Sequence, residues 1–252
     1  MKENNNKGAK EFLLSTKDGK LLGPFVRADG FFNGLCAVEF PGEGKICYID
    51  LQGNKVLPAL FDEAYPYEDG LALVESDGKR YYINIDGDIA LEPEFEEFGS
   101  FSEGLAWFEK DGKYGYMDKK GKVVIPPVHA TMDSFRDGVA FSDIRSMKMI
   151  DRQGNPIEPS ELWFLSQAQD ENINWFPFRQ DKLFGFRDAN NKVILEPQFE
   201  DADIVIDGIA RVKKNGLYGY LKLPSGEWLK KPMFADGNRH IDEEGYILVT
   251  MP

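Results

Sequence analysis

A chain of 252 residues with 42% hydrophobic side chains can bury a sizeable core, which excludes wholesale disorder. A formal net charge of −13 argues against sequence-independent nucleic-acid binding, which needs a basic face to displace counterions from phosphates. No apolar run reaches the ~18 residues of a membrane span, and Cys36 and Cys47, without CxxC spacing, make no zinc site.

The chain opens on a polar stretch, Met1–Lys10, with no secretory apolar region; a flexible arm over 1–10 and a cytoplasmic protein are the expectation. Residues 11–252 are expected to form a single β-repeat domain. Its first recognisable piece, Thr16-Lys17-Asp18-Gly19-Lys20-Leu21-Leu22-Gly23-Pro24-Phe25, reads as a turn followed by a strand that ends at proline.

A landmark then recurs: Gly34-Leu35-Cys36-Ala37-Val38, Gly70-Leu71-Ala72-Leu73-Val74, Gly104-Leu105-Ala106-Trp107-Phe108, Gly138-Val139-Ala140-Phe141 and Gly208-Ile209-Ala210-Arg211-Val212. The glycines are 36, 34 and 34 residues apart, and the last gap of 70 holds a degenerate copy at Asn174-Trp175-Phe176-Pro177-Phe178. Cys36 and Cys47 fall at hydrophobic positions of this repeat and are expected to be buried thiols.

Eleven residues after the landmark glycine, or thirteen after Gly34, comes a second block, as in Cys47-Tyr48-Ile49-Asp50, Tyr81-Tyr82-Ile83-Asn84, Gly115-Tyr116-Met117-Asp118 and Gly219-Tyr220-Leu221-Lys222. It runs into a turn such as Asp118-Lys119-Lys120-Gly121 or Asp151-Arg152-Gln153-Gly154. The Asx side chain can cap such a turn, and the glycine supplies a positive φ, the signature of a type I turn with a G1 bulge. At Asp188-Ala189-Asn190-Asn191 asparagine takes the glycine's place. A β-rich run then ends at proline, usually followed by phenylalanine: Phe61, Phe95, Phe199, Phe234. Each unit reads as three strands and an irregular aromatic link such as Pro93–Phe98, with no sustained helical period.

With Gly-Leu-Ala, then Lys113-Tyr114-Gly115-Tyr116-Met117-Asp118-Lys119-Lys120-Gly121-Lys122, then Ile125-Pro126, the chain resembles the bacterial WG-repeat family from about residue 12 onward. No literal Trp-Gly pair occurs: Tyr114-Gly115, Phe184-Gly185 and Tyr218-Gly219 stand in its place, and the copies at 46–47, 80–81 and 147–148 lack the glycine. The resemblance implies repetitive β structure and a role in interactions, with no common catalytic residues.

The chain starts in the middle of a unit and closes with Gly245-Tyr246-Ile247-Leu248-Val249, the complementary half. Six units starting near 34, 70, 104, 138, 174 and 208, plus one split between 245–252 and 11–33, make seven. The expected fold is all-β: seven tandem three-stranded repeats forming a propeller-like closed toroid, with an open curved β-solenoid as the alternative.

Chemistry-bearing residues are scarce. His129 stands where other copies carry phenylalanine and reads as a packing position; His240 reads as an exposed loop residue. Asp86-Gly87-Asp88 lacks the spaced ligands of a calcium loop, and pairs such as Glu96-Glu97 are common in so acidic a chain. No catalytic residue, metal or cofactor is expected. The stretch from Pro159 to Asn174 is longer than its counterpart and abandons the consensus, which makes Trp163, Phe164, Trp175, Asp170 and Glu171 the candidate partner-binding residues, against a reading in which Trp163 and Phe164 fill a drifted core. The expected function is a non-catalytic scaffold for another, basic protein, such as a toxin held by its immunity protein. The alternative is a carbohydrate or small-ligand binder, or a hydrolase, with a carboxylate site.

Overall fold

A computed structural model of the 252-residue chain describes residues 10–57, 60–136, 138–143, 148–157, 175–188, 190–238, 240–242 and 244–252. Among the described residues all regular elements are strands. Among the described residues no helix is long and apolar enough to cross a membrane. Two compact units divide the chain: Met1–Gly44, Ile49–Asn54 and Asp170–Pro252 make one, Lys45–Tyr48 and Lys55–Gln169 the other.

The strands in chain order are β1 (Glu11–Ser15), β2 (Leu21–Phe25), β3 (Arg27–Ala28), β4 (Leu35–Glu39), β5 (Ile46–Asp50), β6 (Glu63–Ala64), β7 (Ala72–Ser76), β8 (Lys79–Ile83), β9 (Ile89–Leu91), β10 (Leu105–Lys110), β11 (Lys113–Asp118) and β12 (Val123–His129). They continue with β13 (Val139–Asp143), β14 (Lys148–Asp151), β15 (Pro156–Ile157), β16 (Trp175–Gln180), β17 (Leu183–Asp188), β18 (Val193–Phe199), β19 (Asp201–Ala202), β20 (Ile209–Lys214), β21 (Leu217–Lys222), β22 (Glu227–Phe234), β23 (Asp236–Gly237) and β24 (Tyr246–Thr250). Among the described residues they form seven separate antiparallel sheets: β2-β1-β24-β23, β3-β4-β5, β6-β7-β8-β9, β10-β11-β12, β13-β14-β15, β16-β17-β18 and β19-β20-β21-β22. Among the described residues no sheet closes on itself.

The split unit is assembled from both chain ends. β1 lies between β2 and β24, with Phe12 opposite Val249 and Leu14 opposite Ile247. Four of the seven sheets have three strands, the expected number, and in the other three a fourth, two-residue strand lies in the aromatic link. β6 pairs with β7 through Glu63–Glu75 and Ala64–Val74, and β19 pairs with β20 in the same way. In the sheet of β10 the same place is held by the bridge Phe98–Phe108. Strands of two residues have no periodicity of their own; their partners lie ten or more residues away, across the tight turns Asn33-Gly34, Asp69-Gly70, Glu103-Gly104 and Asp207-Gly208, where both residues have positive φ.

Local chemistry sets the other turns. In Asp50, Asn84, Asp118, Asp151 and Asp188 one side-chain oxygen accepts the amides two and four residues on, at 2.8 to 3.0 Å. The side chains of Asn54 and Asn155 add a further bond that holds the Asp50 and Asp151 carboxyls below the ordinary carboxylate value. Asn191 takes a φ of +64°, as its place in the turn requires.

Within each unit consecutive sheets share their cores. Leu105, Tyr116 and Ile125 of one sheet meet Phe135, Ala140 and Ile150 of the next repeat, and Leu73 and Tyr82 meet Phe101, Phe108 and Met117. Buried tyrosines tie four such pairs: Tyr48, Tyr82, Tyr116 and Tyr220 donate their hydroxyls to the carbonyls of Tyr65, Gly99, Asp133 and Asn238 at 2.5 to 3.1 Å. Each of these bonds contributes about 1 kcal/mol. Burial pushes the Tyr116 hydroxyl up to about 12.

Candidate functional site

Charge is unevenly distributed along the chain. Residues 62–111 carry fifteen Asp and Glu against three Lys and Arg, a net charge of −12 out of −13 for the whole chain. This stretch forms β6–β9 and β10 with its following turn. Repulsion among so many carboxylates has to be relieved by local partners or by solvent, and both occur.

Asp62 accepts the Asp77 amide at 2.8 Å and an ion pair from Lys45, and these bonds, Lys45's first, hold its carboxyl below the ordinary value. Arg80 bonds Glu97 at 2.7 Å and the Phe98 carbonyl at 2.9 Å, with its guanidinium 5.2 Å from the centre of the Phe98 ring. Further along, Glu94, Phe95, Glu96, Glu109, Lys110 and Asp111 line an open cleft of about 300 Å³. Its apolar wall is Phe95, stacked on the buried Phe108 with ring centres 3.8 Å apart and planes inclined at 16°. Glu109 accepts the Gly112 amide and so fixes the rim formed by the Asp111-Gly112 turn. Four carboxylates around one aromatic face, with a single ammonium, suit a cationic side chain whose stem can lie on the ring.

Of the residues singled out in the sequence, Trp163, Phe164, Asp170 and Glu171 lie outside the described residues. Trp175 opens β16 opposite Asp188 and packs, half-buried, against the cluster of Phe186, Phe199 and Val205. His129 ends β12 opposite Tyr114, where Phe199 faces Phe184 and Phe234 faces Tyr218; burial lowers its pKa. Its ring lies 6.5 Å from that of Tyr116. His240 is exposed, and Cys36 and Cys47 are buried free thiols. Among the described residues no group of three His, Cys, Asp or Glu is placed to hold a metal. Asp86 and Asp88 donate their amides to Asn84 in an ordinary turn.

Two features escaped the sequence reading. The charge concentration was open to a count by segment. The second is a buried cation: Arg211, 9% exposed, meets Asp203 at 2.5 Å, Asp236 at 2.8 Å and the Gly237 carbonyl at 2.6 Å, and lies 4.3 Å from the centre of the Tyr218 ring. Its partners are 8 to 26 residues away, beyond any local pattern.

The glycine at the Trp-Gly place has a steric reason. Opposite β11 the strand β12 bulges, so that Tyr114 faces His129 while Tyr116 faces Ile125. A Cβ on Gly115 would stand 2.6 Å from the Ile125 carbonyl oxygen and 2.8 Å from the Pro127 nitrogen; Gly185 and Gly219 are crowded in the same way. Where Cys47, Tyr81 or Lys148 takes this place the following strand is cut short: β9 has three residues and β15 two, whereas β12, β18 and β22 have seven or eight. The model of the WG containing repeat matches residues 48–79, 82–114, 114–141 and 184–218. The chain belongs to the WG-repeat family.

No curated protein matches this WG-repeat chain. Among solved structures it is similar to Hsv2 of Kluyvelomyces marxianus, at 10% identity over 90% of this chain and 66% of that one, with a TM-score of 0.35. It is also similar to a catalytically inactive virginiamycin B lyase from Staphylococcus aureus with quinupristin, at 14% identity over 97% of this chain and 99% of that one, TM-score 0.33. A third is apo AztD from Citrobacter koseri, at 13% identity over 92% and 79%, TM-score 0.28.

Proposed function

We propose that this WG-repeat scaffold is a non-catalytic binding protein whose acidic stretch, residues 62–111, receives a basic protein. The observation that carries the reading is the segregation of charge: −12 within fifty residues, while the remainder of the chain is nearly neutral. General solubility would be served by carboxylates spread over all seven sheets. Confined to one stretch, they create a directed field that raises the encounter rate with a cationic partner and suppresses wrong ones. The cleft at Phe95 would seat a Lys or Arg side chain at the centre of that field. A basic toxin held inactive by this chain is the narrower form of the reading, and a cytoplasmic setting suits it.

The test is affinity capture from the native host's lysate at low and moderate salt, with the natural chain and a Glu94→Lys, Glu96→Lys, Asp111→Lys variant as parallel baits. A stoichiometric basic protein that is retained by the natural chain, elutes as salt rises and is lost from the variant is the expected result. Equal retention by both baits, or no basic protein on either, would overturn the reading.

A further inference from the structure

The terminal sheet is the one place where strands from the two ends of the chain must find each other, and it is fastened on both flanks. On one flank Arg211 reaches β23 through Asp236 and the Gly237 carbonyl. On the other, three carboxylates accept three amides of a single short segment. Glu11 of β1 takes the Ala28 amide at 2.7 Å, Asp242 takes Phe31 at 2.7 Å, and Glu244 takes Gly34 at 3.0 Å.

The turn that presents two of these carboxylates is unlike its counterparts. Elsewhere the landmark glycine belongs to a two-residue turn, as at Phe32-Asn33-Gly34-Leu35. Before β24 the chain instead makes the longer Asp-x-x-Gly turn: the Asp242 amide bonds the Tyr246 carbonyl, and the Gly245 amide bonds the Asp242 carbonyl. One oxygen of Asp242 caps this turn through the amides of Glu244 and Tyr246, at 3.1 and 2.8 Å. The other is thereby aimed at Phe31, 211 residues away in sequence. Asp242 is 8% exposed, and Phe31 and Tyr246, whose amides it accepts, have their ring centres 4.6 Å apart.

We propose that Glu11, Asp242 and Glu244 form a clasp, and that β1 and β24 detach together, as one local unfolding unit, when it lets go. The clasp is coupled to protons. Burial is the largest influence on both Glu11 and Asp242 and raises their pKa values, partly offset by the accepted amides. Asp29 adds to the rise at Glu11 and Arg27 opposes it; Glu244 adds to the rise at Asp242. The closed sheet therefore holds protons more readily than the open one. Opening becomes harder as pH falls from neutral toward the ordinary carboxylate range, so mild acid tightens the clasp.

Native-state hydrogen exchange on the full chain tests this. With Asp242→Ala, amides of β1 and β24, Leu14 and Ile247 among them, should exchange together and on the order of tenfold or more faster, as loss of several charge-assisted bonds requires. Amides of β20 and β21 should keep their protection. Acceleration confined to Phe31 and Tyr246, or spread equally over β20 and β21, overturns the proposal. Glu11→Gln keeps an acceptor for Ala28 without the charge; it should leave β1 protected and flatten the pH dependence. If the natural chain's β1 and β24 lose protection as pH is lowered, after correction for intrinsic exchange, the proton coupling is refuted.

Discussion

The sheet of β10, β11 and β12 and the sheet of β16, β17 and β18 have strands of the same lengths, and Leu105 faces Asp118 as Trp175 faces Asp188. Even the bulge recurs, with Phe184 opposite Phe199 and Phe186 opposite Leu195. Their interiors differ. Leu105, Ala106 and Phe108 are buried, whereas no residue of β16 is, and Phe176 is 39% exposed. Phe176 occupies the place of Ala106, and the equivalent alanines Ala37, Ala72, Ala140 and Ala210 are at most 2% exposed. At this point a strand has room for a methyl group against its neighbour, so a phenyl ring has to turn outward. Register and packing are thus separable here: turns and the glycine opposite the bulge set the first, and side-chain volume at one alanine sets much of the second.

Exchanging residues between the two sheets sharpens the comparison. The largest effect is expected for Ala106→Phe, which gives β10 the residue of β16 and should lower stability by about 3 kcal/mol in urea denaturation. The reciprocal Phe176→Ala, at a partly solvated site, should cost well under about 1 kcal/mol. A cost for Ala106→Phe no larger than for Phe176→Ala would break the argument from volume. Next, Tyr116→Phe makes β11 like β17, where Phe186 has no hydroxyl to donate. Loss of the bond to the Asp133 carbonyl should cost about 1 kcal/mol in the same assay, with the fold retained by circular dichroism. Smallest is the turn before β17: Lys182 has a φ of +71° where Gly112 stands in the turn before β11. Lys182→Gly should stabilise the chain by about 0.5–1 kcal/mol, and a null or negative effect would show that the lysine's strain is relieved elsewhere.

Much of this was legible in the residues themselves. The Asx-capped turns, the left-handed Asn191, the buried cysteines and the split unit were readable because each depends on groups close in the chain or on the repeat's phase. The two-residue hairpin turns Asp77-Gly78, Asp111-Gly112 and Asn215-Gly216, with positive φ at both positions, are local signals of the same kind. The short fourth strands were not readable, since two residues carry no pattern. Trp175, a candidate partner-binding residue, also packs its half-buried ring against Phe186, Phe199 and Val205, a contact made across the fold that the sequence pattern does not record.

By itself the sequence determined the family, the phase of the repeat, the kind of turn at each strand end and the concentration of acid between residues 62 and 111, since propensity, turn chemistry and charge act over a few residues. Only the tertiary structure decided which repeats bury their first strand, that Arg211 is held between carboxylates, and how Asp242 reaches Phe31. Those outcomes depend on side-chain volume and unpaired amides meeting across a whole repeat or across nearly the full length of the chain, where no local pattern records them.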